Sequence, residues 1–210
     1  MFENDTLDFF SRCHPFVVPA LYVPGVAFAL VESARRSGLS AVSTVLLFGG
    51  GFVAWTLAEY WLHRLVFHFQ GKSKIAKRIH FLAHGVHHQW PHDKYRLVMP
   101  PGVSVPLYCA CLGLFLATLG SAGWAFHAGF VLGYAHYDLT HWWIHHGKPR
   151  SAYGRRLRRH HFLHHFKQTE ARFGVSNLVW DKVFGTTGEA VSLEASATRS
   201  GASPQTGQHQ

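Results

Sequence analysis

His84-Gly85-Val86-His87-His88 is the first of two His-x-x-His-His motifs in the chain, and His161-Phe162-Leu163-His164-His165 is the second. Residues three or four positions apart share a face of an α-helix, so each motif presents three imidazoles from about one turn. Imidazoles grouped at such spacings are typical of metal ligands. The two motifs therefore predict helices that bind metal through nitrogen.

Two histidine pairs extend this pattern. His141 and His145 stand four apart, whereas His63 and His68 stand five apart, which requires a local bend in the helix or places the two rings on different ions. The set exceeds the four ligands of tetrahedral zinc and the about six of an octahedral ion, so we expect two ions with five ligands each. The predicted metal ligands are His63, His68, His84, His87, His88, His141, His145, His161, His164 and His165.

Groups near these histidines are candidates for orienting them. Four carboxylates, Glu59, Asp93, Asp138 and Asp181, are predicted to accept hydrogen bonds from ligand imidazoles, with an ordinary surface role as an equal alternative for Asp181. The remaining histidines are predicted to play supporting or unrelated roles; they are His14, His80, His92, His127, His136, His146, His160 and His209. Because an imidazole must be deprotonated to bind metal, we expect metal loss below about pH 6.

Four apolar segments have about the length of a bilayer's hydrocarbon core. They are residues 15–31, 39–58, 103–119 and 122–137. Prolines in the first predict a kink or an interruption, and only Gly120-Ser121-Ala122-Gly123 separates the last two, which predicts a hairpin. We expect an all-α integral membrane protein with four transmembrane helices; buried helices of a soluble all-α domain are the alternative.

The distribution of cations orients these segments. Seven of the 20 Lys and Arg residues lie between Arg64 and Arg96, and nine more lie between Lys148 and Lys182. The positive-inside rule therefore places both basic regions and both chain ends in the cytosol, beside a bacterial inner membrane or the endoplasmic reticulum. All four histidine groups fall on that side, which predicts a helical cytosolic cap that holds the dimetal site.

Three parts of the chain follow from this pattern. We expect a cytosolic segment over residues 1–14, a membrane-embedded domain over 15–188 and a disordered tail over 189–210, which has no aromatic residue.

The formal charge of +9 and the run Arg155-Arg156-Leu157-Arg158-Arg159 raise the possibility of a nucleic-acid partner. The flanking apolar segments instead favour anionic headgroups or an acidic electron-donor protein.

The residues around the histidines carry a family resemblance. The chain reads Glu59-Tyr60-Trp61-Leu62-His63, then Tyr137-Asp138-Leu139-Thr140-His141, and later Phe173-Gly174-Val175-Ser176. With the segment Arg96-Leu97-Val98-Met99-Pro100-Pro101, these motifs resemble the fatty acid hydroxylase superfamily of integral membrane enzymes, and most of all its fatty acid 2-hydroxylases. The resemblance covers about residues 15 to 187.

The resemblance implies a four-helix membrane anchor beneath a cap with a histidine-ligated dimetal centre, and the ten ligands of the family match the ten histidines named above. It further implies two iron ions in the working enzyme, with zinc possible in purified protein, and O2 as co-substrate. The expected activity is hydroxylation at C2 of a fatty acyl chain on a free acid, a thioester or a sphingolipid amide.

Electrons are expected from a separate protein. Relatives with a fused cytochrome b5 domain carry a His-Pro-Gly-Gly haem motif, but here His14-Pro15 is followed by Phe16-Val17. The implied partners are the lipid bilayer, the fatty acyl substrate, and a donor such as cytochrome b5 or a ferredoxin with its reductase.

Two alternative functions remain. One is another enzyme of the same superfamily: a sterol desaturase, a sterol methyl oxidase or a carotenoid hydroxylase. The other is a non-catalytic membrane metal-binding protein.

Overall fold

The computed structural model describes Asp8, residues 12–69 and residues 71–188, and these ranges contain helices and no strand. This confirms the all-α prediction, while the predicted tail and most of the predicted N-terminal segment lie outside the described residues. In chain order the helices are α1 (Val17–Arg36), α2 (Ala41–Trp61), α3 (Lys74–His80), α4 (Val86–Gln89), α5 (Pro101–Leu119), α6 (Gly123–His146), α7 (Ala152–Phe166) and α8 (Val179–Val183).

Three helical stretches are long and apolar enough to cross a membrane: Val17–Arg36, Ala41–Phe67 and Pro101–His146. A 3-10 turn at Gly120–Ala122 divides the third into α5 and α6. Phe115 of α5 packs against Phe126 and Phe130 of α6, with ring centroids 4.9 and 5.2 Å apart, so the two helices form the predicted hairpin. The four apolar segments of the sequence thus correspond to α1, α2, α5 and α6.

Local sequence explains where several helices begin and end. Ser40, Ser73 and Ser151 precede α2, α3 and α7, and each hydroxyl accepts a hydrogen bond from the backbone N–H three residues later. Gly120 has a φ of 59°, which favours glycine and ends α5. The predicted interruption of the first helix is wrong, because α1 continues through Pro24.

Helix α6 lies at the centre and contacts α1, α2 and α5. The Trp55 ring of α2 packs edge-on against Phe130 and Tyr134, at 5.1 and 5.2 Å, and Tyr22 of α1 packs against Tyr134 at 5.0 Å. The Tyr22 hydroxyl donates to Ser104 Oγ of α5 over 2.6 Å. These contacts fix the end of α6, which carries His141 and His145.

The outer faces of these helices remain apolar. Val45 and Leu46 of α2 are 68% and 69% exposed, and Leu107 of α5 is 51% exposed. Large exposed apolar patches mark contact with lipid or with another protein. Together with the helix lengths, this supports a membrane protein.

Two glycines allow α2 and α6 to approach closely. A Cβ atom at Gly51 would collide with the Phe126 carbonyl oxygen, and one at Gly129 would collide with the Phe48 carbonyl oxygen. Small residues at such crossings let helix backbones pack directly against each other within a membrane.

We therefore expect Gly51→Ala to destabilise the protein by about 1–3 kcal/mol through overpacking. Gly49→Ala is the matched control, because a Cβ atom there meets nothing within 4 Å and alanine favours the helix. The measurement is unfolding in detergent micelles, followed by intrinsic fluorescence. Equal stability of the two variants would contradict the close approach.

Candidate metal centre

The structure brings all ten predicted ligands together in two groups of five. Within each group, one side-chain nitrogen per residue lies within 4.8 Å of the others. The first group consists of His63, His68, His84, His88 and His164, and the second of His87, His141, His145, His161 and His165. All rings are buried except His68 and His88, which are half-buried.

Each His-x-x-His-His motif is divided between the two groups. His84 and His88 join the first group and His87 the second, because residues i and i+4 differ by about 40° around a helix whereas i+3 lies about 60° to the other side. The second motif is divided in the opposite sense, with only His164 in the first group. The two groups are therefore neighbours, and the rings of His88 and His165 stack at 4.2 Å.

A π-helical segment explains the five-residue spacing of His63 and His68. Residues Leu62–Phe67 continue α2 with the wider π-helical turn, in which backbone bonds join residues five apart. The wider turn brings residues five apart close to one face, and both rings enter the first group, so the alternative of two different ions is not needed. A second π-helical segment, Phe81–Gly85, carries His84.

The spacing of the nitrogens fits metal ligands. In the second group, His161 Nε2 lies 3.0 Å from His141 Nε2, 2.8 Å from His145 Nε2 and 2.9 Å from His165 Nε2. Metal–nitrogen bonds of about 2.1 Å at right angles separate neighbouring ligand atoms by about 3.0 Å. A neutral imidazole has one N–H and cannot bond to three partners through one nitrogen, whereas a central cation satisfies every lone pair.

Backbone carbonyls fix two rings of the first group. His63 Nδ1 donates to the Phe173 carbonyl over 2.6 Å, and His164 Nδ1 donates to the Ala171 carbonyl over 2.7 Å. These bonds place the proton on Nδ1 and direct the Nε2 lone pair into the group. In the second group, four buried Nδ1 atoms have no hydrogen-bond partner among the described residues: those of His87, His141, His161 and His165.

Glu59 supports the site from a distance, contrary to the prediction that it accepts from an imidazole. Its carboxylate accepts from the backbone N–H groups of Val175 and Ser176, over 3.0 and 2.7 Å, and from Ser176 Oγ. Glu59 is 2% exposed, so these bonds satisfy the oxygens of a buried carboxyl group. The carboxylate thereby holds the loop that supplies the Phe173 carbonyl.

The other three carboxylates also bond elsewhere than to the ten rings. Asp93 accepts from Arg96 and from the Tyr95 N–H, and Asp138 Oδ2 accepts from the Met99 N–H over 3.3 Å. Asp181 does contact an imidazole, but that ring is His160, at 2.9 Å. The prediction that these carboxylates orient ligand histidines directly is therefore wrong.

Asp181, like Glu59, accepts hydrogen bonds from the loop of residues 173–176. Its two oxygens accept from the backbone N–H groups of Phe173 and Gly174, over 2.9 and 2.8 Å, and from Thr186 Oγ1. Sequence reasoning missed the carbonyls of Ala171 and Phe173, because a backbone acceptor has no residue signature. The available signal was indirect: a buried ligand ring needs an acceptor for its second nitrogen.

Burial keeps the rings neutral. It lowers the pKa of His84, His87 and His161 below the ordinary imidazole value, and it lowers the pKa of the half-buried His68 and His88 to about 4. Neighbouring histidines add to this effect, since each protonated ring would repel the next. At neutral pH the nitrogens therefore offer lone pairs rather than protons.

Two groups of five imidazoles, in a fold that also has apolar helices of membrane-spanning length, define a helical membrane protein with a histidine-rich candidate metal site. A sequence model of the fatty acid hydroxylase family matches residues 48–186, the region that contains both groups. The chain belongs to the fatty acid hydroxylase family, whose members are oxidoreductases.

Relatives with this likeness include plant, fungal and animal proteins. A dihydroceramide fatty acyl 2-hydroxylase of Arabidopsis thaliana is 39% identical, over 88% of this chain and 78% of the relative. A ceramide very long chain fatty acid hydroxylase of Saccharomyces cerevisiae is 40% identical, over 81% of this chain and 45% of the relative. Fatty acid 2-hydroxylase of Rattus norvegicus is 34% identical, over 89% of this chain and 56% of the relative. The chain thus spans about half the length of the yeast and rat proteins.

A solved structure has the same fold. It is described as full-length scs7p with only the hydroxylase domain visible, and it matches with a TM-score of 0.82 and 38% identity. The match covers 89% of this chain and 70% of that one. These comparisons support an oxidoreductase of the hydroxylase class.

We expect Glu59→Ala to lower both stability and metal content, because it leaves the buried N–H groups of Val175 and Ser176 without an acceptor, at a cost of about 2–4 kcal/mol. Glu59→Gln is the control, since its amide oxygen can still accept. Thermal unfolding in detergent and metal per protein are the measurements. Equal losses in both variants would refute a role based on hydrogen bonding.

The pH at which metal is released tests the neutral state of the rings. His68 and His88 have a pKa of about 4 in the fold and the ordinary value when unfolded, so the unfolded chain binds more protons between these values. Their contribution to stability is complete above about pH 6.5 and is lost as the pH falls towards 4.

We therefore expect metal release below about pH 5, lower than the pH 6 of unshifted imidazoles. The measurement is metal per protein after dialysis at stepped pH, with helical circular dichroism recorded in parallel. Complete release by about pH 6 with the helical signal intact would contradict it.

Proposed function

We propose that this chain is a membrane monooxygenase that hydroxylates a fatty acyl chain at C2, beside the carbonyl, with O2 and two electrons from a separate donor. The observation that carries the proposal is the pair of five-imidazole groups. Relatives named as a dihydroceramide fatty acyl 2-hydroxylase and a fatty acid 2-hydroxylase support the acyl chain and the position. The carrier would be a free acid, a thioester or a sphingolipid amide.

The ten histidines would hold two metal ions, iron in the working enzyme with zinc possible after purification. Such a pair, when bound, supplies the redox chemistry that activates O2 for attack on an unactivated C–H bond. The donor set suits this role because it consists of neutral nitrogens, and in the part of the chain that the structure describes no hydrogen bond joins a carboxylate to any of the ten rings. Iron is a metal that imidazole ligands accommodate.

The protein's contribution is to orient the rings and to exclude water. The carbonyls of Phe173 and Ala171 fix two rings, and all five rings of the second group are buried. A dry site protects a strong oxidant from side reactions with solvent. The half-buried His68 and His88 mark the side on which the first group approaches solvent.

The membrane delivers the substrate. We propose that α1, α2, α5 and α6 each cross the bilayer and that the chain ends and the metal centre lie in the cytosol. The cations between Arg64 and Arg96 and between Lys148 and Lys182 support this orientation. An acyl chain could then approach the centre from the bilayer without entering water.

The test is lipid analysis of a host without 2-hydroxy lipids that expresses the chain under ¹⁸O₂. We expect 2-hydroxy acyl chains with one labelled oxygen, and a loss of at least about a hundredfold in His87→Ala, together with reduced metal content. His136→Ala is the control, because this exposed histidine of α6 belongs to neither group. Unaltered product in His87→Ala, or a labelled sterol or carotenoid instead of an acyl product, would overturn the proposal.

A further inference from the structure

A basic cleft of about 390 Å³ lies beside the first histidine group. Four cationic side chains line it: Arg156 and Arg159 of α7, Arg172 of the following loop, and Lys182 of α8. His160 also lines the cleft, and its Nε2 atom lies 2.9 Å from a carboxylate oxygen of Asp181, which is buried and is not among the lining residues. The exposed cations Arg156, Arg159 and Lys182 thus give the cleft a positive charge.

Helix α7 connects the cleft to the metal centre. Arg156, Arg159 and Leu163 recur at spacings that share one helix face and line the cleft. The adjacent face of the same helix carries His161 and His164, one ring in each histidine group. A partner that docks against Arg156 and Arg159 would therefore lie about one helix diameter from the imidazoles.

The loop at Arg172 gives a more direct connection. Arg172 stands between Ala171 and Phe173, whose carbonyls accept from His164 and His63 over 2.7 and 2.6 Å. Its φ of 66° lies in the left-handed region, which is costly for a residue with a side chain. The backbone bond from Arg172 N to the Thr186 carbonyl and the bond from Nε to Gln168 hold this conformation.

We propose that this cleft is the docking surface for the acidic face of the electron-donor protein. The inference rests on the proposed function, which requires two electrons from such a donor. In each encounter the reduced donor would lose one electron to the metal centre that the ten histidines would hold. The Ala171–Phe173 backbone and its two hydrogen bonds provide a short connected path to His63 and His164.

Charge complementarity favours an acidic protein here. Opposite charges steer association and speed the encounter, which suits a donor that must bind, transfer an electron and leave. An anionic headgroup would find the same cations, but its binding makes no use of the hydrogen-bonded connection to the metal ligands. We therefore treat lipid binding as the competing outcome of the experiment.

The experiment measures binding of the full chain, metal-loaded and in phosphatidylcholine nanodiscs, to two acidic probes: the soluble haem domain of cytochrome b5 and a plant-type ferredoxin. We expect at least one probe to bind, with weaker binding at higher salt. The double variant Arg156→Glu/Lys182→Glu should raise the Kd at least about tenfold. The control Lys148→Glu/Arg155→Glu makes the same charge change outside the cleft lining and should raise it less than about threefold.

Metal content should be unaltered in both double variants, and product formation with a chemical reductant should match the unmodified chain. The proposal is overturned if neither probe binds or if both double variants weaken binding equally. It is also overturned if Arg156→Glu/Lys182→Glu loses binding to phosphatidylserine vesicles but still binds both probes. Absence of 2-hydroxy product with every reductant would refute the proposed function, whereas the binding measurement would still report on the cleft.

Discussion

The convergence of ten imidazoles in a buried space constrains the rest of the structure. Nitrogen atoms 2.8 to 3.0 Å apart cannot all share protons, since each neutral ring has one N–H. A cation at the centre of each group would satisfy its five lone pairs together. Four parts of the chain must therefore end at one place: the end of α2, the α3–α4 segment, the end of α6, and α7. The hairpin, the glycine contacts and the π-helical segments are the local means by which they do so.

Negative charge supports this cage without entering it. Glu59 and Asp181 hold the backbone of residues 173–176 through N–H groups, and the Phe173 carbonyl of that loop then fixes His63. The carboxylates thus act on the ring of His63 through the backbone of this loop and form no direct hydrogen bond with it. This arrangement orients rings while it leaves the ligand set neutral, so ions held by the ten histidines would keep their full positive charge.

The sequence predicts which residues form the site better than it predicts the partners that those residues contact. Spacing along the chain selected the ten histidines and indicated two ions with five ligands each, because helical geometry relates neighbours along the chain, and it left open whether His63 and His68 share an ion. It did not predict that His87 and His164 leave their own motifs for the opposite group, since that depends on how α4 and α7 face each other. It assigned Glu59 and Asp138 to imidazoles because proximity in sequence does not reveal which partner a carboxylate meets across the fold.

The two groups differ in a way that suits the proposed reaction. The first is half-open at His68 and His88, is fixed by loop carbonyls and lies beside the basic cleft. The second is fully buried and includes His141 and His145 from the central helix α6, whose neighbours α2 and α5 have exposed apolar side chains. Under the proposed function, electrons reach the centre from the aqueous side and the acyl chain from the apolar side. Each His-x-x-His-His motif supplies ligands to both groups; His84 of the first group and His87 of the second lie on one short segment. The two groups therefore remain adjacent while each would face a different reactant.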